Sequence, residues 1–358
     1  MTPPGTGEQG PDVGQEEEQQ DAVGGHEVRD GPATDPVDGG PGGEDGGSTG
    51  SVDERAALAA VYGWLPDVGD DAAVIDGLVL TTDMLHEKTD FPPGTRRYTA
   101  GWRTVGASLS DVAAMGAEAV AAVAVYAAPA FETSDLEAFV AGARAVCELV
   151  DTEYVGGDLD THDEFTVVSS ALGRTTDPVH RSDAEPGEAV CVTGTLGRSA
   201  AAMELFEASE TERANELFRF TPRVNAGLAL APHASAMMDS SDGLARSVHQ
   251  LAAASECGFA IETPLPIDEA VDRVAASPAE RREQGVFFGE DFELVCTIPV
   301  DRLDLARDAL PDGLAFTRIG TVREARITLD GDPLPDRGYT HGTNRDGPAG
   351  DEGSGGGV

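Results

Sequence analysis

The chain has 358 residues, 40% of them hydrophobic, and carries 65 acidic side chains against 24 basic ones, a formal net charge of −41. A polyanion of this kind is repelled by nucleic-acid phosphates, which excludes direct DNA or RNA binding as its main activity. No run of about 18 apolar residues occurs, so no spanning helix is expected, and the opening MTPPGTGEQG lacks the basic region and apolar run of a secretory leader.

Residues 1–52 are rich in Gly, Pro, Asp, Glu and Gln and include the run Glu16–Glu18. That composition cannot offset ordering entropy, so a disordered acidic tail is expected there. Residues 72–75 and 78–83 are strand-like and joined by Asp76-Gly77, the two-residue signal for a type I′ hairpin. Trp102, Val105, Leu109 and Val112 recur at helical spacing and predict a helix over 95–115. Residues 119–126 (AVAAVAVY) predict a buried strand. Ser134 and Glu137 suit a capping box opening a helix whose stripe is Leu136, Phe139, Val140, Ala143, Val146 and Leu149. A strand ending at Gly156-Gly157-Asp158 and another over 164–172 follow.

The segment TTDPVHRSDAEPGE suggests a domain boundary around 175–187. Beyond it the pattern predicts a strand (189–193), a Gly194-to-Gly197 turn, a helix from about Ser199 and a helix near 222–230. A strand (236–239), a helix (243–255), a strand (292–298), a helix (302–309) and strands near 315–322 and 326–329 complete the series. Strands and helices interleave in both halves, so the expected fold class is α/β and α+β in two domains. The expected domains are 53–178 and 179–342, followed by a flexible tail at 343–358.

Lys88 is the only lysine, and such acid excess looks like adaptation to a salt-rich cytoplasm, where a short screening length blunts self-repulsion. The four cysteines are scattered, with no C-x-x-C pair, and read as small apolar residues in a reducing cytoplasm.

Among so many acids, only those in unusual settings are candidates for chemistry. The hairpin places Asp71 opposite Thr82 and gathers Asp70, Asp71, Thr81, Thr82 and Asp83 at one open end. Clustered carboxylates repel unless a cation neutralises them, and a hard divalent ion with oxygen ligands does so. A solvated hairpin mouth is the other reading. Asp111 sits in the small, apolar SLSDVAAMGA, and Asp158 ends a strand after two glycines that would let a phosphate approach the backbone. Asp239 and Asp242 flank Ser240-Ser241 where a strand passes into a helix, a place that ordinary N-capping also suits. No Walker A lysine and no nucleophile elbow is present. Carboxylates in Gly-rich or strand-end settings suit metal-mediated phosphoryl transfer, with Mg²⁺ as counter-charge.

Read in order, VGDDAAVI, LTTDML, SLSDVAAMGA, VGGDLD, HRSDAEPGEAVCVTGTLG, TPRVNAG, MMDSSDGL, ASECG and GEDFELVCTI resemble the thiamine-monophosphate kinase family, of the aminoimidazole ribonucleotide synthetase-like superfamily. The resemblance implies an N-terminal ATP- and Mg²⁺-binding domain, a C-terminal α+β domain and a homodimer built through the N-terminal sheets. It implies phosphate transfer from ATP to thiamine monophosphate, with Asp111 and Asp158 as catalytic residues. Mg²⁺ ligands would be Asp71, Thr81, Thr82, Asp83, Asp111, Asp158, Asp239 and Asp242. Gly157, Asp158, Arg181 and Ser241 would contact ATP, and Asp90, Glu290 and Tyr339 the acceptor. The chain departs from the family pattern at Asp90, where a histidine is usual, at Ser108, usually asparagine, and in Gly338-Tyr339-Thr340-His341-Gly342. The rival readings are another ATP-using enzyme of the superfamily and a non-catalytic nucleotide- or metal-binding regulator. The hydrogenase-maturation branch would end in a reactive cysteine rather than GSGGGV. Selenophosphate synthetase would need a Cys or selenocysteine and a Lys before Gly69.

Overall fold

The computed structural model describes residues 54–65 and 68–338. The expected tails at 1–52 and 343–358, and Tyr339, lie outside the described residues.

A short helix, α1 (Glu54–Tyr62), precedes the first sheet. That sheet is built from β1 (Ala73–Ile75), β2 (Leu78–His86), β3 (Glu118–Ala128), β4 (Tyr154–Thr161) and β5 (Thr166–Arg174), in the order β1-β2-β5-β3-β4. The hairpin closes as the Asp-Gly signal requires: Ile75 pairs Leu78, and Asp76 and Gly77 take φ of 51° and 77°. The helices α2 (Arg97–Ala114) and α3 (Thr133–Glu148) follow β2 and β3. They cross closely because each supplies a glycine at the crossing. A Cβ on Gly101 would lie 2.1 Å from the Phe139 carbonyl oxygen, and one on Gly142 would lie 1.9 Å from that of Tyr98.

The second half forms a seven-stranded sheet from β6 (Ala189–Thr193), β7 (Ala236–Asp239), β8 (Gly258–Ile261), β9 (Leu294–Ile298), β10 (Phe316–Arg323), β11 (Ile327–Leu329) and β12 (Asp332–Pro333). Its order is β12-β11-β8-β10-β6-β9-β7. The helices are α4 (Arg198–Glu207), α5 (Thr211–Phe218), α6 (Val224–Leu230), α7 (Leu244–Ala254), α8 (Val271–Val274), α9 (Pro278–Val286) and α10 (Leu303–Ala309).

The expected capping box at Ser134 is not used: Glu132 is the N-cap of α3 and makes no side-chain cap bond. A related arrangement occurs at α9. There Ser277 accepts from the Glu280 amide, Pro278 takes the first turn, and the Glu280 carboxylate accepts from the Ala276 amide at 2.6 Å.

Helix α2 is the hinge of the architecture in the packing sense. It lies against β2, β3 and β5 on one side and against α6 and β7 on another, and is buried along most of its length. One hydrophobic core therefore joins Val79, Val105, Leu109, Val112 and Met115 to Val224, Leu230, Met237, Leu294 and Ile298. Among the described residues no helix is long and apolar enough to cross a membrane.

Candidate functional site

The fold brings the ends of four elements to one point. Asp71 comes from the turn before β1, Thr81 from β2, Asp111 from α2 and Asp239 from the last position of β7. Asp71, Asp111 and Asp239 each offer a carboxylate oxygen within 4.8 Å of the others. The Thr81 hydroxyl donates to Asp111 Oδ2 at 2.5 Å.

Burial, then Asp83, Asp239 and Asp71, push the Asp111 carboxyl well above the usual range. Burial and Asp71 push Asp239 up to about 8, against the pull of Ser110 and Arg181. Asp239 Oδ2 is buried and has no hydrogen-bond partner. Like charges in a desolvated site, with an acceptor atom left unmet, make a set of hard oxygen donors short of positive charge. That is the chemistry Mg²⁺ requires, and the residues fit it.

Part of the balance is supplied within the chain. Arg181 grips Asp71 through Nε at 3.1 Å and Nη2 at 2.9 Å. Burial opposes its charge, but Asp71, Asp239 and Asp111 outweigh that, and its pKa lies above the usual value. Asp70 accepts from the Arg181 amide at 2.8 Å and lies 2.6 Å from His180 Nδ1, so the segment before β6 is fastened to the turn before β1.

The other sequence-derived candidates take separate places. Asp83 accepts from Ser108 Oγ at 3.3 Å, and its charge reaches both Asp111 and Asp239. Ser108 bonds Ser169 Oγ at 2.6 Å. Thr82 is exposed and spends its hydroxyl on the Ser169 carbonyl at 2.9 Å, on the opposite face of β2 from Thr81. Asp158 lies outside the cluster on the edge strand β4, exposed, accepting from the Leu159 amide at 2.9 Å. It sits in register with Val125, Val168 and Met84. The neighbouring strand also requires glycine at 157: a Cβ there would lie 1.7 Å from the Ala124 carbonyl oxygen of β3.

Neither Ser241 nor Asp242 caps α7; Gly243 is its N-cap, at φ 97°. The Ser241 carbonyl accepts from the Glu290 amide at 2.6 Å, and that of Ser240 from Phe292 at 3.2 Å. The loop carrying Glu290 is thereby laid across the turn after β7. Asp90 accepts from the His86 amide at 2.6 Å and from Thr89 Oγ1 at 2.8 Å, closing its own loop. Beside that loop lies a cavity of about 730 Å³ whose lining includes Lys88, Phe91, Arg97, Met203 and Phe206.

The residue that sequence reasoning missed is Arg103. It lies fully inside the protein and pairs with the Glu290 carboxylate. The available signal was a lone charge in the middle of a small, apolar helix, TAGWRTVGASL.

Comparison with known proteins agrees with this architecture. Residues 69–175 match the family model described as AIR synthase related protein, N-terminal domain, and 185–331 match its C-terminal domain. A thiamine-monophosphate kinase from the halophile Halobacterium salinarum is 58% identical over 291 residues, covering 81% of this chain and 100% of that one. That of Escherichia coli is 30% identical over 302 residues, covering 76% and 91%. Among solved structures, AaThiL complexed with AMPPCP and TMP has a TM-score of 0.73 at 28% identity, covering 81% of this chain and 97% of that one. The hydrogenase maturation protein HypE shares the fold at a TM-score of 0.60 and 18% identity. With both family-model domains matched and a 58% identical relative covered end to end, the chain belongs to the thiamine-monophosphate kinase family.

Proposed function

We propose that the chain moves the γ-phosphate of ATP onto thiamine monophosphate, giving thiamine diphosphate and ADP, the last step in making that cofactor. The observation that carries the reading is the convergence of Asp71, Asp111 and Asp239, with a buried unmet oxygen on Asp239, in a chain of this family. Asp71, Asp111 and Asp239 would hold Mg²⁺, which when bound supplies the positive charge that lets two phosphate anions meet.

The attacking atom is an oxygen of the acceptor phosphate, already ionised near neutral pH, so no strong general base is needed. Its bond to the γ-phosphorus forms as the bond from that phosphorus to the β,γ-bridging oxygen breaks, and ADP departs with the electron pair. What the chain's residues do is position. Thr81 fixes the Asp111 carboxylate, and Arg181 holds the Asp71 carboxylate through a two-point grip. Aligned groups held in a desolvated site lower the barrier through orientation and preorganised charge. Asp83, Asp158 and Asp242, with Thr81 and Thr82, complete the proposed metal set. Gly157, Ser241 and Arg181 serve ATP, and Asp90, Glu290 and Tyr339 serve the acceptor.

In this reading 53–178 is the ATP- and Mg²⁺-binding domain and 179–342 its partner domain. The first sheet supports a homodimer. Helices α2 and α3 cover one face, while Leu80, Met84, Val123 and Val125 leave the other apolar and exposed among the described residues. Such a patch marks a protein contact. Asp158 and Thr82 lie in register with that face. The four free cysteines suit a reducing cytoplasm.

The test is an ADP-release assay in molar KCl with Mg²⁺, ATP and thiamine monophosphate, with the diphosphate product identified by chromatography. Absence of product with this acceptor refutes the function.

A further inference from the structure

We propose that Arg103 is the positioning residue of the acceptor end: it holds the Glu290 carboxylate at a fixed place relative to the aspartate cluster and so sets where the cationic part of the acceptor sits. The inference rests on the thiamine monophosphate reading above and adds a residue to it.

Arg103 is 1% exposed, yet it carries a charge in the buried middle of α2, where its neighbours Thr99, Ala100, Thr104, Val105 and Ala107 are uncharged. Its guanidinium lies 3.6 Å from the Phe218 ring centroid, with Phe220 and Phe292 at 5.3 and 5.6 Å. Nη1 donates to the Phe218 carbonyl at 2.5 Å, and Nη2 donates to the Glu290 carboxylate. Burial lowers the arginine's pKa, and Glu290, Asp291 and Asp90 work against that. A buried ion pair is poor evidence for a stability role, because apolar residues of similar volume serve as well or better. A role in placing Glu290 accounts for it.

Glu290 itself is built to be held. Its backbone takes φ 71°, its amide is bonded to Ser241, and its carbonyl accepts from Ser199 Oγ at 2.6 Å. Asp291 next to it accepts from the Gly197 amide at 2.5 Å and that of Ser199 at 2.9 Å, at the start of α4. The backbone is thus fixed, and the carboxylate is oriented by Arg103 alone among the described basic residues. With its side chain 18% exposed, Glu290 keeps an edge that a ligand can reach.

Arg103 and Asp111 share α2, eight residues apart, which at 1.5 Å per residue is about 12 Å along the axis. One rigid helix therefore spaces the carboxylate of the acceptor end from the carboxylates of the phosphate end. Charge also agrees: Glu290, Asp291 and Asp90 all act on the one Arg103 guanidinium, so acidic groups outnumber basic ones around it.

The experiment measures kcat and both KM values in molar KCl for Arg103→Gln, Arg103→Lys, Glu290→Gln and the Lys/Gln double variant. Arg103→Gln is expected to raise the KM for thiamine monophosphate about ten-fold and leave that for ATP within about two-fold. Arg103→Lys, which keeps the charge but loses the fork, is expected to recover most of this and stay about three-fold above wild type. In the Glu290→Gln background Arg103→Lys should change nothing, because the two act through one contact. This last comparison decides the matter even if Arg103→Gln fails to fold. Equal rises in both KM values, or an Arg103→Lys effect that persists without the Glu290 carboxylate, overturn the proposal. A wild-type enzyme that does not phosphorylate thiamine monophosphate instead overturns the function on which it rests.

Discussion

Asp239→Asn removes one negative charge from the aspartate cluster with almost no change of shape, and the structure gives the size of the effect. The Asp239 carboxyl is raised from an ordinary 3.8 to about 8 by burial and by Asp71. A group whose folded pKa is raised contributes stability that is full below about pH 4 and is lost as pH climbs through about 8. Each pKa unit is worth about 1.4 kcal/mol, so the metal-free protein should lose on the order of 5 kcal/mol from this group between those limits. For a chain of this size that is roughly a 10 °C fall in Tm. The assay is thermal unfolding with chelator in molar KCl across pH 5 to 9, repeated with Mg²⁺. Wild type should lose Tm toward pH 9 and regain it with Mg²⁺. Asp239→Asn should show a shallower loss and a smaller Mg²⁺ response, while its turnover collapses. A wild-type Tm that is flat or rising to pH 9 without metal, or an Asp239→Asn profile parallel to wild type, refutes the reasoning.

Two further predictions use other elements. Asp111→Asn and Asp158→Asn should each abolish turnover with circular dichroism unchanged; near-normal activity in either removes that residue from the metal set. Val125→Glu places a charge on the exposed apolar face of the first sheet, and light scattering should then report a monomer where wild type is a dimer. An unchanged mass would move the dimer contact elsewhere.

What could be read from the sequence depended on how local the cause was. The Asp76-Gly77 turn is specified by two adjacent residues, and the register of Ile75 with Leu78 follows from it. Strands 189–193 and 236–239 are short apolar runs, buried throughout, with bounds set by flanking glycine and serine. Helices α1, α5, α8 and α9 and strands β8 and β12 were not expected; short elements carry little periodicity, and α5, α8 and β12 lack a bounded apolar run like that of 236–239. The same limit applies to caps: Ser134-Glu137 and Ser277-Glu280 have the same spacing, and only the second is used. At the site, Asp111 was legible as a charge in an apolar helix and Asp239 as one at a strand end. Arg103 has the same signature as Asp111, but its meaning lies in Glu290, 187 residues away. At Gly157 the neighbouring strand adds a packing constraint that only the strand pairing reveals.

The surface acids and the buried ones answer to different counter-charges. Most of the acids among the described residues are exposed, where salt screens repulsion over about 3 Å at 1 M and about 10 Å at 0.1 M. Dialysis to dilute buffer should therefore unfold the chain, and an unchanged circular dichroism spectrum there would refute the halophilic reading. Asp239 is buried and Asp111 half-buried, so the ion atmosphere screens them much less than the surface acids. Only a proton, Arg181 or a bound cation can offset them. Raising KCl should thus lift Tm at every pH yet leave its decline toward pH 9 as steep as before, while Mg²⁺ at constant ionic strength should remove the decline. If KCl alone flattens the profile as Mg²⁺ does, the acids responsible are on the surface, and the cluster is not the place where charge is short.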